Sequence, residues 1–348
     1  MDPLILIFLT SGLFLGWALG ANDAANVFGT AVGTKMVSWR TAAIICSVFV
    51  ILGALISGGG TTHTLGKLGA ISALPGAFMT ALSAGVAVYS MTKSGLPVST
   101  SQAIVGAIIG WNLFSGNATD ISTLTKILST WIICPLLSAF IAVVLFKTLK
   151  FFSRRVSLHL IVADAYTRVA LVLAGALGAY SLGANNIANV VGVFIPAQPL
   201  PPLLIGNFVF SSTQQLFLLG GLAIALGVFT YSKRVMLTVG NNLGRLSSTA
   251  ALIAVISHSI VLFMFASRGL EAWLAGNGLP TIPLVPVSSS QAVVGAVVGI
   301  SMLQGAAGIR WTVLGKIVAG WIVTPIAAGI ICFVGLFFLQ NVFGLDVV

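Results

Sequence analysis

Asn22, Asp23 and Asn26 lie together in GANDAANVFG, residues 20–29, inside a stretch that is otherwise nearly all apolar. Residues three and four apart share a helix face, so one carboxylate and two amides can converge on one point. Their oxygens are hard ligands, suited to a small hard cation such as sodium. Protonation of Asp23 is the competing use of the same group. Asp23 is the only acidic residue inside a repeated motif, since Asp2, Asp120, Asp164, Glu271 and Asp346 fall at apparent ends or loops. An ionisable group at membrane depth points to function rather than packing. Interhelical hydrogen bonding accounts for a lone asparagine. It accounts poorly for a set that returns as Asn185, Asn186 and Asn189 in GANNIANVVG, residues 183–192.

A second polar pair is LPVSTSQ, residues 96–102, and VPVSSSQ, residues 285–291. The apolar run after Pro97 spans about 22 Å as a helix, short for a crossing. It can start deep in the membrane if residues 92–96 enter extended. Ser99, Thr100 and Ser101 then occupy the N-cap and first turn, as do Ser288, Ser289 and Ser290. Two such N-termini meeting from opposite sides aim free N–H groups and hydroxyls at one place, which is an anion site. Short, proline-interrupted segments at matching positions of two halves mark a transporter's binding site. A cation cluster beside an anion site reads as a cation-coupled anion symporter, in which neither charge is buried unpaired.

The elements that must hold these groups are membrane helices. Hydrophobic residues make up 58% of the 348 and charged residues 6%, and mean hydropathy is +1.10. Continuous apolar runs such as 131–146 and 318–339 favour helices over a barrel. A third block also recurs, KILSTWIICP at 126–135 and KIVAGWIVTP at 316–325. Three blocks repeated in the same order divide the chain into a repeat at 1–150, a basic linker at 151–160 and a second repeat at 161–348. Apolar runs at 3–34, 39–57, 71–91, 97–111 and 127–146 give about five crossings in the first half. An odd number inverts the second copy. The expected architecture is an all-α polytopic membrane protein of two inverted-topology repeats, about 10–12 helical segments in all, with short or broken helices at the midplane.

The run 3–34 would be about 48 Å long as one helix, more than a bilayer core of about 30 Å. A strong tilt or a break near Gly20 is expected, with an equivalent break at Gly183 supplying backbone carbonyls to an ion. Lys147, Lys150, Arg154 and Arg155 put the linker on the cytoplasmic side, as do Lys233, Arg234 and Arg245 for a loop in the second half. Both termini then lie outside a plasma (inner) membrane. Lys67 also falls outside, against the trend. The N-terminus has no basic n-region and stays apolar past residue 15, so no cleaved signal peptide is expected. Cys46, Cys134 and Cys332 lie in apolar runs without metal-ligand spacing and read as core or lipid-facing small residues. The seven tryptophans read as interfacial anchors or packing residues.

GANDAAN, GANNIAN, GLPVSTSQAIVGAIIG and PVSSSQAVVGAVVG resemble the motifs of the inorganic phosphate transporter family, over nearly the whole chain. That family couples phosphate uptake to sodium or protons. The resemblance implies phosphate and coupling ions at the interface of the two halves. Carried onto this sequence, phosphate falls to Asn22, Thr100, Ser101, Asn185, Ser289 and Ser290. The coupling ion falls to Asp23, Asn26, Ser99, Gln102, Asn186, Asn189, Ser288 and Gln291, with Na+ itself at Asp23, Asn26, Asn186 and Asn189. The family has Asp in the second motif where this chain has Asn186, and His after PVST where it has Gln102 and Gln291. A membrane Glu of many members is matched here by Val50. These departures remove groups that titrate and favour sodium over protons.

Other classes fit less well. The net charge of +10 is spread thinly between apolar runs and gives no nucleic-acid surface. GGGTTHTLGKLG, residues 58–69, invites a phosphate-loop reading, but Leu68 stands where Ser or Thr is needed; it reads as a small-residue turn. His63, His159 and His258 show no metal spacing, and paired carboxylates for acid–base work are absent from the apolar runs. No enzymatic activity and no cofactor are expected. A channel would surround a pore with several subunits. A proton-coupled phosphate symporter, or a symporter of another oxyanion such as sulfate, is the runner-up. The expected partners are phosphate, sodium and the lipid bilayer, and small-residue faces permit a homodimer.

Overall fold

The computed structural model describes residues 3–94, 97–153, 155, 159–206, 208–242, 246–306 and 309–348. The first half holds α1 Pro3–Gly33, α2 Trp39–Ser57, α3 Gly59–Leu68, α4 Leu74–Lys93, α5 Thr100–Ser115 and α6 Ile121–Ser153. The second holds α7 Leu160–Val191, α8 Ser212–Asn242, α9 Ser248–Ala266, α10 Arg268–Gly276, α11 Ser289–Leu303 and α12 Trp311–Asn341. Seven described helices are long and apolar enough to cross a membrane. A bent pair, α9 with α10, turns by 67° and forms an eighth candidate. The short α5 and α11, 16 and 15 residues, stand at the positions where the sequence calls for them. Between α7 and α8 the proline-rich stretch 196–202 cannot continue a helix, and a small antiparallel hairpin follows, β1 Leu203–Ile205 with β2 Phe208–Phe210. With a 3-10 turn at Gly192–Phe194, it is what departs from an all-α chain among the described elements.

The helices lock together across the halves in matched pairs. On α1, a Cβ at Gly20 would lie 1.9 Å from the Ile224 carbonyl oxygen of α8. On α7, a Cβ at Gly183 would lie 2.1 Å from the Val50 carbonyl oxygen of α2. Both crossings are backbone against backbone, closed by dispersion rather than by bulky side chains. The same exchange joins α5 to α12 and α11 to α6. Gly106 abuts the Pro325 carbonyl and Gly295 the Pro135 carbonyl, at 2.1 and 2.2 Å from an added Cβ. The recurring block that ends in Pro135 and Pro325 therefore makes a bed for the short helix of the other half.

Several sequence expectations are corrected. α1 and α7 run unbroken through Gly20 and Gly183; these glycines are contact points, not hinges, and no unwound carbonyls are exposed there. At 31 residues α1 is about 46 Å long, an excess that tilt or projecting ends accommodate. Thr92 and Lys93 are helical rather than extended; α4 persists to Lys93, and the described residues between α4 and α5 are the turn residue Ser94 and the non-helical Pro97 to Ser99. Residues 58–69 are not a turn, because α3 buries Gly60, Thr61, Leu65 and Leu68 along one face. Lys233 and Arg234 belong to α8 rather than to a loop; Arg245, like Arg154 of the linker, lies outside the described residues. Asp120 caps α6 by accepting from the backbone of Ser122 and Thr123 and from the Thr123 hydroxyl. Those bonds hold its carboxyl below the usual range.

Candidate functional site

All fourteen polar residues singled out in the sequence are buried, none more than 3% exposed. Ser99 and Ser288 are N-caps in extended conformation, and each accepts from the backbone N–H three residues on, Gln102 and Gln291, at 3.2 Å. A cap side chain satisfies one of the free donors of a helix start. The remaining first-turn N–H groups and hydroxyls face into the protein rather than to a surface loop.

The two helix starts meet. Ser101 Oγ lies 3.0 Å from the Val287 carbonyl oxygen, at the entry to α11. It also lies 3.4 Å from Asn186 Oδ1, so its single proton is shared between two acceptors. Asn189 Nδ2 donates to Ser101 Oγ at 2.9 Å and reaches Asn186 Oδ1 at 3.1 Å. Asn185 grips the same strand of chain: its Oδ1 accepts from the Val287 N–H at 2.9 Å and its Nδ2 donates to the Val285 carbonyl at 3.3 Å. The α7 motif is thereby tied to the starts of both short helices.

The α1 motif is tied differently. Asn22 Nδ2 donates to Thr92 Oγ1 on α4 at 2.8 Å. Asn26 Nδ2 donates to Asp23 Oδ1 at 3.2 Å. Asp23 is the only buried acidic side chain among the described residues, and no Lys or Arg is buried among them. No described cation pairs with it.

Polar atoms without a partner among the described residues cluster here. They include Asn22 Oδ1, Asn26 Oδ1, Asn189 Oδ1, Asn186 Nδ2, Thr100 Oγ1, Gln102 Oε1 and Gln291 Oε1. Each costs desolvation unless something binds it. Carbonyl-type oxygens beside a carboxylate suit a sodium ion, and hydroxyls with helix-start N–H groups suit an oxyanion.

Three contributors escaped the sequence reading. His258 of α9, the only buried histidine among the described residues, lies with Nε2 2.8 Å from Ser289 Oγ. It has no metal-ligand spacing; its place inside an apolar run was the signal that marks it. Thr92 anchors Asn22, and Thr61 of α3 donates to the Asn185 carbonyl at 3.0 Å. Neither threonine carries a local sequence signature.

A model of the phosphate transporter family matches residues 19–332. The chain belongs to the phosphate transporter family. Proteins with similar sequences include a candidate phosphate permease of Methanocaldococcus jannaschii, 27% identical over 94% of this chain and 95% of that protein. The sulfate permease of Bacillus subtilis is also 27% identical, over 90% of this chain and 82% of its own. A solved sodium-dependent phosphate transporter superposes with a TM-score of 0.78 at 21% identity, covering 97% of this chain and 98% of that one. The two share a fold. As a family member with seven long apolar helices, this chain is an integral membrane protein.

Proposed function

We propose that this chain imports inorganic phosphate in symport with sodium, by alternating access about the buried seam between two inverted-topology halves. The observation that carries the reading is the join between two kinds of group. The buried α7 amides, of cation-binding type, touch two buried helix starts of anion-binding type: Asn186 and Asn189 meet Ser101 of α5, and Asn185 holds Val287 at the entry to α11. Thr100, Ser101, Ser289 and Ser290 with the first-turn N–H groups, and Asn22 and Asn185, would hold phosphate. Asp23, Asn26, Asn186 and Asn189 would hold sodium, with Ser99, Ser288, Gln102 and Gln291 around them. An ionised Asp23 at this depth requires a cation, and no described side chain supplies one. Phosphate and sodium bound together neutralise each other where the dielectric is low. An anion pocket without arginine also favours release.

The test is labelled phosphate uptake into proteoliposomes of the purified protein. Uptake under an inward sodium gradient, and none under a proton gradient without sodium, is expected. Uptake under a proton gradient alone would make Asp23 a proton carrier and overturn the sodium assignment. A second reading, sulfate as cargo, is favoured by the Bacillus subtilis relative. Monohydrogen phosphate can donate a hydrogen bond to Asp23 and sulfate cannot. An Asp23→Asn variant that kept full preference for phosphate over sulfate would exclude this basis for selectivity.

A further inference from the structure

A cavity of about 720 Å³ opens beside the seam, lined by α3, the start of α6, α10 and residues 281–285. Its chemistry is lopsided. His63 and Lys67 of α3, Lys126 of α6 and Arg268 of α10 line it against one lining carboxylate, Glu271. Asp120 acts electrostatically on Lys126 from the α6 cap. Gly60, His63, Thr64 and Lys67 are spaced at three, four and seven, so α3 turns one whole face into the cavity. The Arg268 guanidinium donates to the Gly59 carbonyl, which fixes α3 against the start of α10.

The cavity ends where the seam begins. Val285 lines it and also accepts from Asn185 Nδ2 at 3.3 Å. Leu284 beside it accepts from Thr64 Oγ1 at 2.5 Å. One thin segment, 284–287, thus separates the basic cavity from the two helix starts.

The membrane side follows from α6. Its 33 residues span about 50 Å, so Lys126 near the start and Lys150 in the last turn project at opposite faces of a core of about 30 Å. With the basic linker cytoplasmic, the cavity opens outside. Cations gathered there run against the usual loop charge bias and need another reason.

We propose that this cavity is the external vestibule that draws a multivalent oxyanion toward the seam, with Lys67 and Lys126 as its electrostatic funnel. Thr64 and Asn185 would hold segment 284–287 as the partition at its base. The inference rests on the oxyanion-transport reading and adds the route and the residues that set capture. A cleft lined by one sign of charge raises the local concentration of its substrate, and the effect falls steeply with ionic strength.

The experiment is initial uptake of inorganic phosphate by right-side-out vesicles carrying the full chain, with Lys67→Gln/Lys126→Gln against the unaltered protein. At low ionic strength KM rises about tenfold with kcat little changed. In about 0.5 M choline chloride the two proteins converge. Lys67→Arg/Lys126→Arg retains the low KM, and Glu271→Gln lowers it further. An unchanged KM at low ionic strength overturns the vestibule while leaving transport intact. A rise that persists equally at high ionic strength also overturns it, since it reports distorted geometry rather than a field. Absence of phosphate uptake by the unaltered protein overturns the transport reading and the vestibule with it.

Discussion

The α1 and α7 motifs have the same spacing and opposite circumstances. On α7, Asn186 and Asn189 are bonded across to Ser101 of α5, and Asn185 clasps the backbone on either side of Pro286. On α1, Asp23 receives only Asn26 among the bonds the structure gives it, and Asn22 reaches Thr92. The neutral copy is built into the scaffold, while the charged copy is left to satisfy itself. A buried carboxylate is too costly to serve as mere glue, whereas amides can be both structural and ligating. Under the proposed symport, the first motif would supply the charge that faces the coupling ion, and the second would add amide ligands and join them to the helix starts.

The largest expected effect tests what the two motifs share. Gly20→Ala and Gly183→Ala each drive a Cβ into a facing carbonyl, and each is expected to cost about 3 kcal/mol or more. Thermal unfolding in mild detergent checks this. Similar losses at both sites support matched crossings, and a tolerated Gly183→Ala would break the equivalence.

Next come the differences. Asp23→Asn is expected to lower sodium-driven phosphate uptake about a hundredfold, the scale of one lost charged interaction. Asn186→Asp, which gives the α7 motif a carboxylate of its own, is expected to steepen the sodium dependence. Unchanged sodium curves in both variants would remove the assigned role of the α1 motif. Ser101→Ala strips bonds from Asn186, Asn189 and Val287 and is expected to destabilise by about 2 kcal/mol. Ser290 bonds Ser288 at 3.1 Å, and Ser290→Ala is expected to cost about 1 kcal/mol or less. Equal losses in melting experiments would mean that the helix starts are not engaged differently. The smallest effect concerns the partner found only in three dimensions. His258→Gln is expected to raise the phosphate KM about fivefold by freeing Ser289; a KM unchanged by the substitution would leave His258 a packing residue.

The legible part of the site was what short-range chemistry encodes. Three and four residue spacing put Asn22, Asp23 and Asn26 on one face, and Ser99 and Ser288 stood where helix caps belong. The illegible part involved partners far away in sequence. Thr92, Thr61 and His258 join the seam from helices whose local sequence shows no motif, and their bonds span 31 to 124 residues. The glycines misled for a related reason. From sequence Gly20 and Gly183 read as places where a long helix breaks. In the fold a helix is kept intact there, because the missing side chain lets a neighbouring backbone approach.

By itself the sequence determined a helical membrane protein, a repeated pair of polar motifs at depth, one intramembrane carboxylate and two capped short helices. Composition, periodicity and capping are local properties, and each carries its signal within a turn or two. The tertiary structure decided that the halves exchange their short helices, α5 onto α12 and α11 onto α6. It decided that His258 reaches Ser289, and that α3 aims His63 and Lys67 into a basic cavity. Those outcomes depend on how close two backbones can come, which no single segment specifies alone.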